Sequence, residues 1–365
     1  MSKAAELAAL IANVNNGSSL ANKNLIINGA FTVHQRKAIN TTSTENDDYA
    51  TADRFKPSAS NMDNLAITQQ VTNSAPVGFE NSYKYVVTTA ESALASNELF
   101  RIMQFIEGQN LQHLNYGTSS AKPVTLSFWV RSSLTGTYAV SMYADSGSKI
   151  IGSTYTISSA DTWEKKEITL VGDTAQAITN DSTEGLRLNW ILMAGSDYTG
   201  DSNASWVAYG SSKLAYGHTA AWGQSTDHDF YLAGVQLEVG EKATEFEHEP
   251  YETTLLKCQR YLQRWEGSTS VSPYLANGRG HSTAVCITAF NYMTQFRASP
   301  SISFNGAWTY DGASQAVASV ALNGPMPTTT GINWTVSSGL TQHRMTQVYL
   351  LDTSNTPYVE LEAEL

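Results

Sequence analysis

GVQLEVGEKATEFEHEPYETTLLKCQRYLQRW, residues 234–265, changes its period part-way through. Val235, Leu237 and Val239 alternate and share one face of a strand; Gly240 then breaks the ladder, and Pro250 has no N–H to give it. Leu255, Cys258, Leu262 and Trp265 recur three, four and three residues apart, the spacing of a helix stripe, yet RYLQRW alternates again. The stretch therefore predicts the last strand of one β unit, a short helix over about 252–258 and a strand leading into the next unit. Read this way, it is a joint between two β domains.

Upstream of the joint, LAITQQVT (65–72), YKYVVTT (83–89), ELFRIMQFI (98–106), VTLSFWVRS (124–132), TYAVSMYA (137–144), WEKKEITLV (163–171), LRLNWILMA (186–194) and DFYLAGVQLEV (229–239) are strand-length runs between Gly, Ser, Asn and Asp clusters. NLIINGAF (24–31), closed by the turn pair Asn-Gly, joins them as the first. Eight or nine antiparallel strands predict a jelly-roll β-sandwich over 21–250. Leu126, Phe128, Val130, Ile168, Leu170, Leu188, Trp190 and Leu192 belong on its inner faces, with Trp129 also in the core. Beyond the joint (251–267), STAVCITAF (282–290), SISFNGAW (301–308), QAVASVAL (315–322), NWTVSSG (333–339), TQVYLLD (346–352) and YVELEAEL (358–365) predict six strands of a smaller C-terminal β-sandwich over 268–365.

At the other end, SKAAELAALIANV (2–14) places Ala4, Leu7, Ile11 and Val14 on one helical stripe, with Ser2 as N-cap and Asn15-Asn16-Gly17 as the stop. An isolated helix of about 13 residues is marginal in water. Its stripe has to lie against its own domain, against the same helix in sister copies, or against an attachment site. Residues 1–20 are read as a short N-terminal α-helix for attachment or trimerisation, followed by a linker-like GSSLANK (17–23).

Composition narrows the function classes. The chain has 365 residues, 41% hydrophobic and only 15% charged, a mainly β globular composition with room for two or three domains. A net charge of −11 and the lack of a Lys/Arg block argue against nucleic acid or an anionic membrane as partner. No apolar run reaches the ~18 residues that span a bilayer, and AAELAALIANV, interrupted by Glu6 and Asn13, does not read as a secretory signal. The expectation is a soluble protein made in a cytosol. Cys258 and Cys286 are read as two free thiols in apolar surroundings, though the spacing leaves a single bridge open.

Two stretches carry more than pattern. NLIINGAFTVHQR (24–36) with YATADRF (49–55) resembles the start of a jelly-roll module found in bacteriophage virion proteins, and residues 234–265 resemble the end of that same module. TQFRASPSISF (294–304) and VELEAEL (359–365) resemble segments of the C-terminal domains of phage tail proteins. Ala30, Lys37 and Glu245 depart from the pattern. The resemblance implies a fibre or fibre-like appendage of the virion, homotrimeric, assembled in the host cytoplasm, displaying carbohydrate-binding-like domains for adsorption to the host surface. A capsid-decorating fibre is the near variant.

Chemistry is harder to find. Asp47, Asp48, Asp53, Asp197 and Asp201 could supply the carboxylate pair of a glycan-cleaving depolymerase, the rival reading from another class, but with 33 acidic residues proximity is expected by chance. His34, His113, His218, His228, His248, His281 and His343 show no metal-ligand spacing, and His228-Asp229 with a serine is a weak triad. No phosphate loop or dinucleotide fingerprint occurs. The chain is read as a non-enzyme without cofactor, with Asp197 and Asp201 as weak Ca²⁺ candidates. Tyr143, Tyr198, Trp206, Tyr209, Tyr216 and Trp222 lie beside small polar residues in expected loops and are the glycan-contact candidates, since flat rings with polar tips stack on sugar faces.

Overall fold

The structure, a computed structural model, describes residues 22–37, 39–43, 49–268, 273–352 and 356–365, with the backbone alone for 39–43. The expected helix with Ala4, Leu7, Ile11 and Val14, and the acids Asp47 and Asp48, lie outside the described residues. The chain divides into two compact units. Unit 1 holds Met1–Thr32, Ala38–Thr51 and Phe55–Glu249; unit 2 holds Val33–Lys37, Ala52–Arg54 and Pro250–Leu365.

Unit 1 contains, among the described residues, β1 (Ile39–Ser43), β2 (Phe55–Ser60), β3 (Ala66–Thr72), β4 (Ser82–Thr89), β5 (Leu99–Glu107), β6 (Val124–Ser132), β7 (Gly136–Ala144), β8 (Lys149–Ile157), β9 (Glu164–Leu170), β10 (Glu184–Ala194), β11 (Val207–Ala208) and β12 (Asp229–Val239). They form two antiparallel sheets, β1-β3-β4-β12-β6-β9 and β11-β8-β7-β10-β5-β2. Aromatic rings join the two sheets: Phe128 on β6 meets Trp190 on β10 at 6.1 Å, and Tyr138 on β7 meets Phe230 on β12 at 5.9 Å. All eight residues assigned to the inner faces are buried. Each fully buried ring or aliphatic chain of this size stabilises by about 1.5–3 kcal/mol before the entropy of ordering it. Trp129 is a correction: strand parity sets it opposite to Phe128, and it is half-buried on the outer side of its sheet.

NLIINGAF is also corrected, from a strand to a turn-rich segment. It lies where β12 loses its ladder. β4 pairs with β12 only from Asp229 to Leu232, and the pairing of β12 with β6 shifts register between Ala233 and Gln236. The opening segment takes over the freed groups. Leu25 N–H donates to Leu237 O (2.8 Å), Val235 N–H donates to Gly29 O (2.9 Å), and Asn24 Oδ1 accepts from Leu237 N–H (3.1 Å). Gln104 Nε2 of β5 donates to Ile27 O at 2.6 Å, so the segment is held from both sheets. Gly234 has φ +55° and a Cβ there would lie 2.4 Å from Phe79 Cζ, whose ring packs on Phe246 and His248. Gln236 and Glu238 hold the following turn through Glu247 N–H (2.8 Å) and Thr244 N–H (2.8 Å).

β2 and β8 were missed because each carries a breaker. Pro57 marks β2 as an edge strand. Gly152 breaks the strand-type composition of β8 without interrupting the strand, and a Cβ there would lie 2.4 Å from Asn203 Nδ2 and 2.8 Å from Val140 O.

Unit 2 opens with α1 (Tyr251–Gln259), followed by β13 (Leu262–Glu266), β14 (Tyr274–Gly280), β15 (Val285–Asn291), β16 (Ser301–Asn305), β17 (Ala307–Tyr310), β18 (Ser314–Asn323), β19 (Thr329–Val336), β20 (Met345–Leu350) and β21 (Tyr358–Glu362). The expected C-terminal sandwich is instead a closed barrel, β14-β15-β19-β18-β17-β20, beside a three-stranded sheet β13-β21-β16. SISFNGAW splits at Gly306 (φ +65°), which sends β16 to the small sheet and β17 to the barrel. Closure removes the open edges a sandwich of this size would carry. Trp334, Cys286 and Val348 of the barrel and Val359 and Leu361 of the small sheet share the buried core of unit 2, and Cys258 and Cys286 are both free.

The two upstream segments of unit 2 bring charge into it. Gln35 donates to Asp53 through its N–H (2.8 Å) and Nε2 (2.6 Å), and through Nε2 to Leu262 O (3.0 Å). Arg36 pairs with Glu360 (3.2 Å), Glu362 (3.1 Å) and Glu364 (3.8 Å). Arg54, fully buried, pairs with Glu364 and lies 3.5 Å from the Tyr261 ring centroid. Burial works against the charge on Arg36, but Glu360, Glu364, Glu362 and Asp53 outweigh it and hold the guanidinium above its ordinary value. Burial raises the Glu364 carboxyl, with Arg54 and Arg36 opposing.

Two outcomes follow from these contacts. A Cβ at Gly29 would lie 2.0 Å from Val235 O, so Gly29→Ala is expected to destabilise unit 1 by about 3 kcal/mol in denaturant melts. Gly200→Ala, where the nearest atom is 3.9 Å away, is the neutral control. Arg54→Met leaves Glu364 buried with a weaker partner and is expected to cost about 3–5 kcal/mol in unit 2, read by hydrogen exchange of β21. Because the folded value of Glu364 is raised, its contribution is full below the ordinary carboxylate pKa and is lost as pH climbs through the raised value. Glu364→Gln is expected to remove that decline.

Candidate functional site

Side chains alternate across a strand, so the residues of β10 that do not enter the sandwich face outward. Leu186, Leu188 and Trp190 point in; Arg187, Asn189 and Ile191 point out. The registers then fix the rows on the outer face. Phe105, Arg187, Tyr143 and Ile150 stand side by side across β5, β10, β7 and β8; Lys56, Met103, Asn189, Ser141 and Gly152 form the next row.

The first row is a cation between rings. Arg187 Cζ lies 4.7 Å from the Tyr143 centroid and 5.4 Å from that of Phe105. Tyr209 meets Tyr143 edge-on at 5.2 Å and 77°, and its N–H donates to Ser148 O at 2.8 Å. Arg187 Nε is 3.4 Å from Glu184 Oε1, close enough for an ion pair but not aligned as a hydrogen bond, and neither atom has a hydrogen-bond partner. Burial, with Asp145 adding to it, holds the Glu184 carboxyl above its ordinary range against Arg187 and Arg101. Behind this row, Arg101 Nη1 donates to Asn189 Oδ1 (3.2 Å), and Asn189 Nδ2 reaches Ser141 O and Oγ (both 3.4 Å). Tyr198, whose hydroxyl donates to Asn97 O (3.1 Å), is raised by burial and by Tyr209 and lowered by Arg101.

The excursion between β10 and β12 covers the rest of the face. Leu214 and Ala215 lie on Leu99, Ala139, Ile150, Ile191 and Ala194, with Tyr198 and Val207 packed at the margin. His218 pins it: Nδ1 accepts from Ala139 N–H (3.2 Å) and Nε2 meets Ala220 O (2.7 Å), which fixes the proton on Nε2.

Of the six aromatic candidates, Tyr143, Tyr198 and Tyr209 come together here. Tyr143 lies in β7 rather than a loop. Trp206 is elsewhere, its Nε1 donating to Val171 O (2.7 Å) and its ring edge-on to Tyr116 (5.9 Å). Tyr216 is exposed and outside the group. Trp222 is corrected to core: it is fully buried and stacks on Phe100 at 5.7 Å and 17°. Arg187, Asn189 and Phe105 were missed, although the alternation of LRLNWILMA already turned Arg187 and Asn189 outward.

The acids do not assemble a second site. Asp197 accepts from Ser96 Oγ (3.2 Å) and Asp201 from Ser212 Oγ (2.6 Å), and no group of three or more His, Cys, Asp or Glu comes together among the described residues. Asp53 is buried in unit 2 on Gln35. His228 Nδ1 meets Trp222 O (2.7 Å) and Asp229 accepts from Ser133 N–H (3.2 Å), so the two do not form a relay. A cavity of about 320 Å³ in unit 2 is bordered by Arg264, Trp265, Glu266 and Tyr274. Its arginine is already committed to Glu266 (2.5 Å) and Glu360 (2.8 Å).

No family model matches the sequence, and no curated protein does. Among solved structures, the chain is similar over 60% of its length to the enzymatically active domain of bacteriophage CBA120 tailspike protein 4 (12% identity, TM-score 0.32), spanning 22% of that chain. It is similar over 57% to the family 11 carbohydrate-binding module of the Clostridium thermocellum cellulase Lic26A-Cel5E (9% identity, TM-score 0.29, all of that chain). It is similar over 60% to TmCBM61 in complex with β-1,4-galactotriose (10% identity, TM-score 0.27, all of that chain). Likeness this loose fixes no residue correspondence, and the site rests on the chain's own geometry.

His218 supplies a pH test. Burial lowers it to about 4 from an ordinary 6.5, so its contribution to unit 1 is intact above 6.5 and is lost as pH falls towards 4. The expected loss reaches about 3 kcal/mol at the acid end. Denaturation curves across that window should show the slope in the natural protein and not in His218→Asn.

Proposed function

We propose that the outer face of the β11-β8-β7-β10-β5-β2 sheet binds host-surface glycan, and that the chain is a structural virion protein of a bacteriophage, a homotrimeric tail fibre or fibre-like appendage. The observation that carries the binding reading is the partly exposed cluster of Arg187, Tyr143 and Tyr209 on the outer face. The partly exposed Tyr143 and Tyr209 rings offer apolar C–H faces a stacking surface, with the Arg187 guanidinium beside Tyr143. The virion role is carried by the resemblance of residues 24–36, 49–55 and 234–265 to phage virion modules. A head fibre decorating the capsid uses the same residues.

The depolymerase reading has less support. Catalytic carboxylates need a facing pair across a bound sugar; on this face Glu184 sits beside Arg187 as an ion-pair partner. The closing test is binding of purified host-surface polysaccharide by calorimetry, with Tyr143→Ala and Arg187→Ala each expected to weaken it about tenfold, ~1.4 kcal/mol. Solution mass is expected at three times that of the chain. Steady release of reducing ends from the polysaccharide would replace the binding reading with the enzymatic one.

A further inference from the structure

Alternation sorts the residues of the barrel in unit 2 as it does those of the sandwich. On the neighbouring strands β17, β20 and β14, Ala307, Val348 and Leu350 enter the core, so Trp308, Tyr310, Gln347 and Tyr349 point away from it. The registers then set two rows on the outer wall. Trp308, Tyr349 and Tyr274 stand side by side in one; Tyr310, Gln347 and Asn277 form the next. All of them are at least partly exposed, Tyr274 at 67% and Tyr310 at 43%.

Neither row contains a charged residue; Arg279 enters only in the row after, opposite Met345. Asp311, next to Tyr310, is buried and accepts from Thr341 N–H (2.7 Å), so it does not join them. Trp308 Nε1 donates to Leu351 O (3.0 Å), which commits the polar edge of the indole and leaves its ring as the surface offered. Tyr274 meets Tyr349 at 6.0 Å and 64°, so a flat ligand lies on one of these rings and against the edge of the other. On the β18 side Trp308 is opposite Ala316 and Tyr310 opposite Ser314, small exposed residues that leave that flank low.

Rings in one row, with amides and a phenol in the next, suit a molecule that has an apolar face and a hydroxyl-bearing edge. A pyranose has both. The aromatic row spans two inter-strand spacings of ~4.8 Å, about 10 Å, the length of a disaccharide. Without a cation in either row, an acidic sugar gains nothing here over a neutral one. A second protein fits less well, because a stable interface draws on about 20–30 residues a side and these rows supply six.

We propose that the β17-β20-β14 wall is a second glycan-binding surface, taking a neutral disaccharide stretch on Trp308 and Tyr349 with its hydroxyls at Gln347, Asn277 and Tyr310. It is additional to the outer face of unit 1 and does not rest on it.

The test is calorimetry of the full-length chain with hexasaccharides of β-1,4-glucan, β-1,3-glucan, β-1,4-galactan, α-1,6-glucan and polygalacturonate, read together with hydrogen exchange of β17 and β20. A neutral series is expected to bind and to slow exchange in both strands. Tyr274→Ala and Tyr310→Ala are each expected to weaken that binding about tenfold, with melting unchanged because both rings are exposed. Tyr143→Ala is expected to leave it intact. Binding that Tyr143→Ala abolishes and Tyr274→Ala leaves unchanged overturns this surface and leaves that of unit 1 standing; the reverse pattern upholds this surface and overturns that of unit 1. Tighter binding of polygalacturonate through Tyr274 and Tyr310 overturns the neutral assignment. A solution mass that falls with Tyr274→Ala makes the wall a contact between copies and overturns glycan binding there, as does the failure of every series to bind.

Discussion

A bulged strand leaves backbone groups without a ladder partner, and β12 does so at Gly234 and Val235, in the middle of unit 1. Buried N–H and C=O groups that stay unpaired cost about as much as the hydrogen bonds that hold a strand in place. The opening segment resolves this by giving Gly29 O to Val235 and taking Leu237 O with Leu25. Its Ile27 carbonyl also accepts from Gln104 on β5 of the other sheet. The first and last segments of the sandwich are therefore one structural feature. The same β5 places Arg101 and the buried Phe105 on its outer side, so the candidate face depends on that closure.

Unit 2 solves a harder version of the problem. It buries two arginines, Arg36 and Arg54, and a buried guanidinium is tolerable only when carboxylates and further polar contacts replace water. The strand β21 and the residues after it supply them at two-residue spacing, Glu360, Glu362 and Glu364, so all three acids reach the same side of the sheet. Arg297 binds Ala363 O (2.6 Å) and Glu364 O, fixing the end of the chain. The VELEAEL alternation is thus a charge ladder as much as a hydrophobic one: Val359 and Leu361 fill the core while the intervening acids meet the arginines.

The candidate face is the part of unit 1 where local rules conflict. Arg187 lies between the partly exposed Tyr143 ring and the buried Phe105 ring, and its pair with Glu184 is close without being a hydrogen bond. Elsewhere on the same face, apolar residues are covered by the Gly195–Ser225 excursion, which His218 ties to Ala139. One sheet surface is therefore divided between an apolar part covered by that excursion and a part where Arg187, Tyr143 and Tyr209 remain partly exposed.

Alternation in 124–132, 186–194 and 229–239 was enough to place these strands and to sort inner residues such as Phe128 and Trp190. The change of period after Gly240 was enough to place α1 and β13, because side-chain periodicity is local. Parity could also have turned Arg187 and Asn189 outward, and even corrected Trp129. What the chain order could not convey is which distant segments meet: that NLIINGAF pairs sideways with GVQLEV instead of forming a strand, that β14 closes on β20 as a barrel, and that Tyr209 lands on Tyr143 while Trp222 goes to the core. Those outcomes are set by register, bulge and loop placement across hundreds of residues, where backbone hydrogen bonds and ring packing choose among partners that look alike in one dimension.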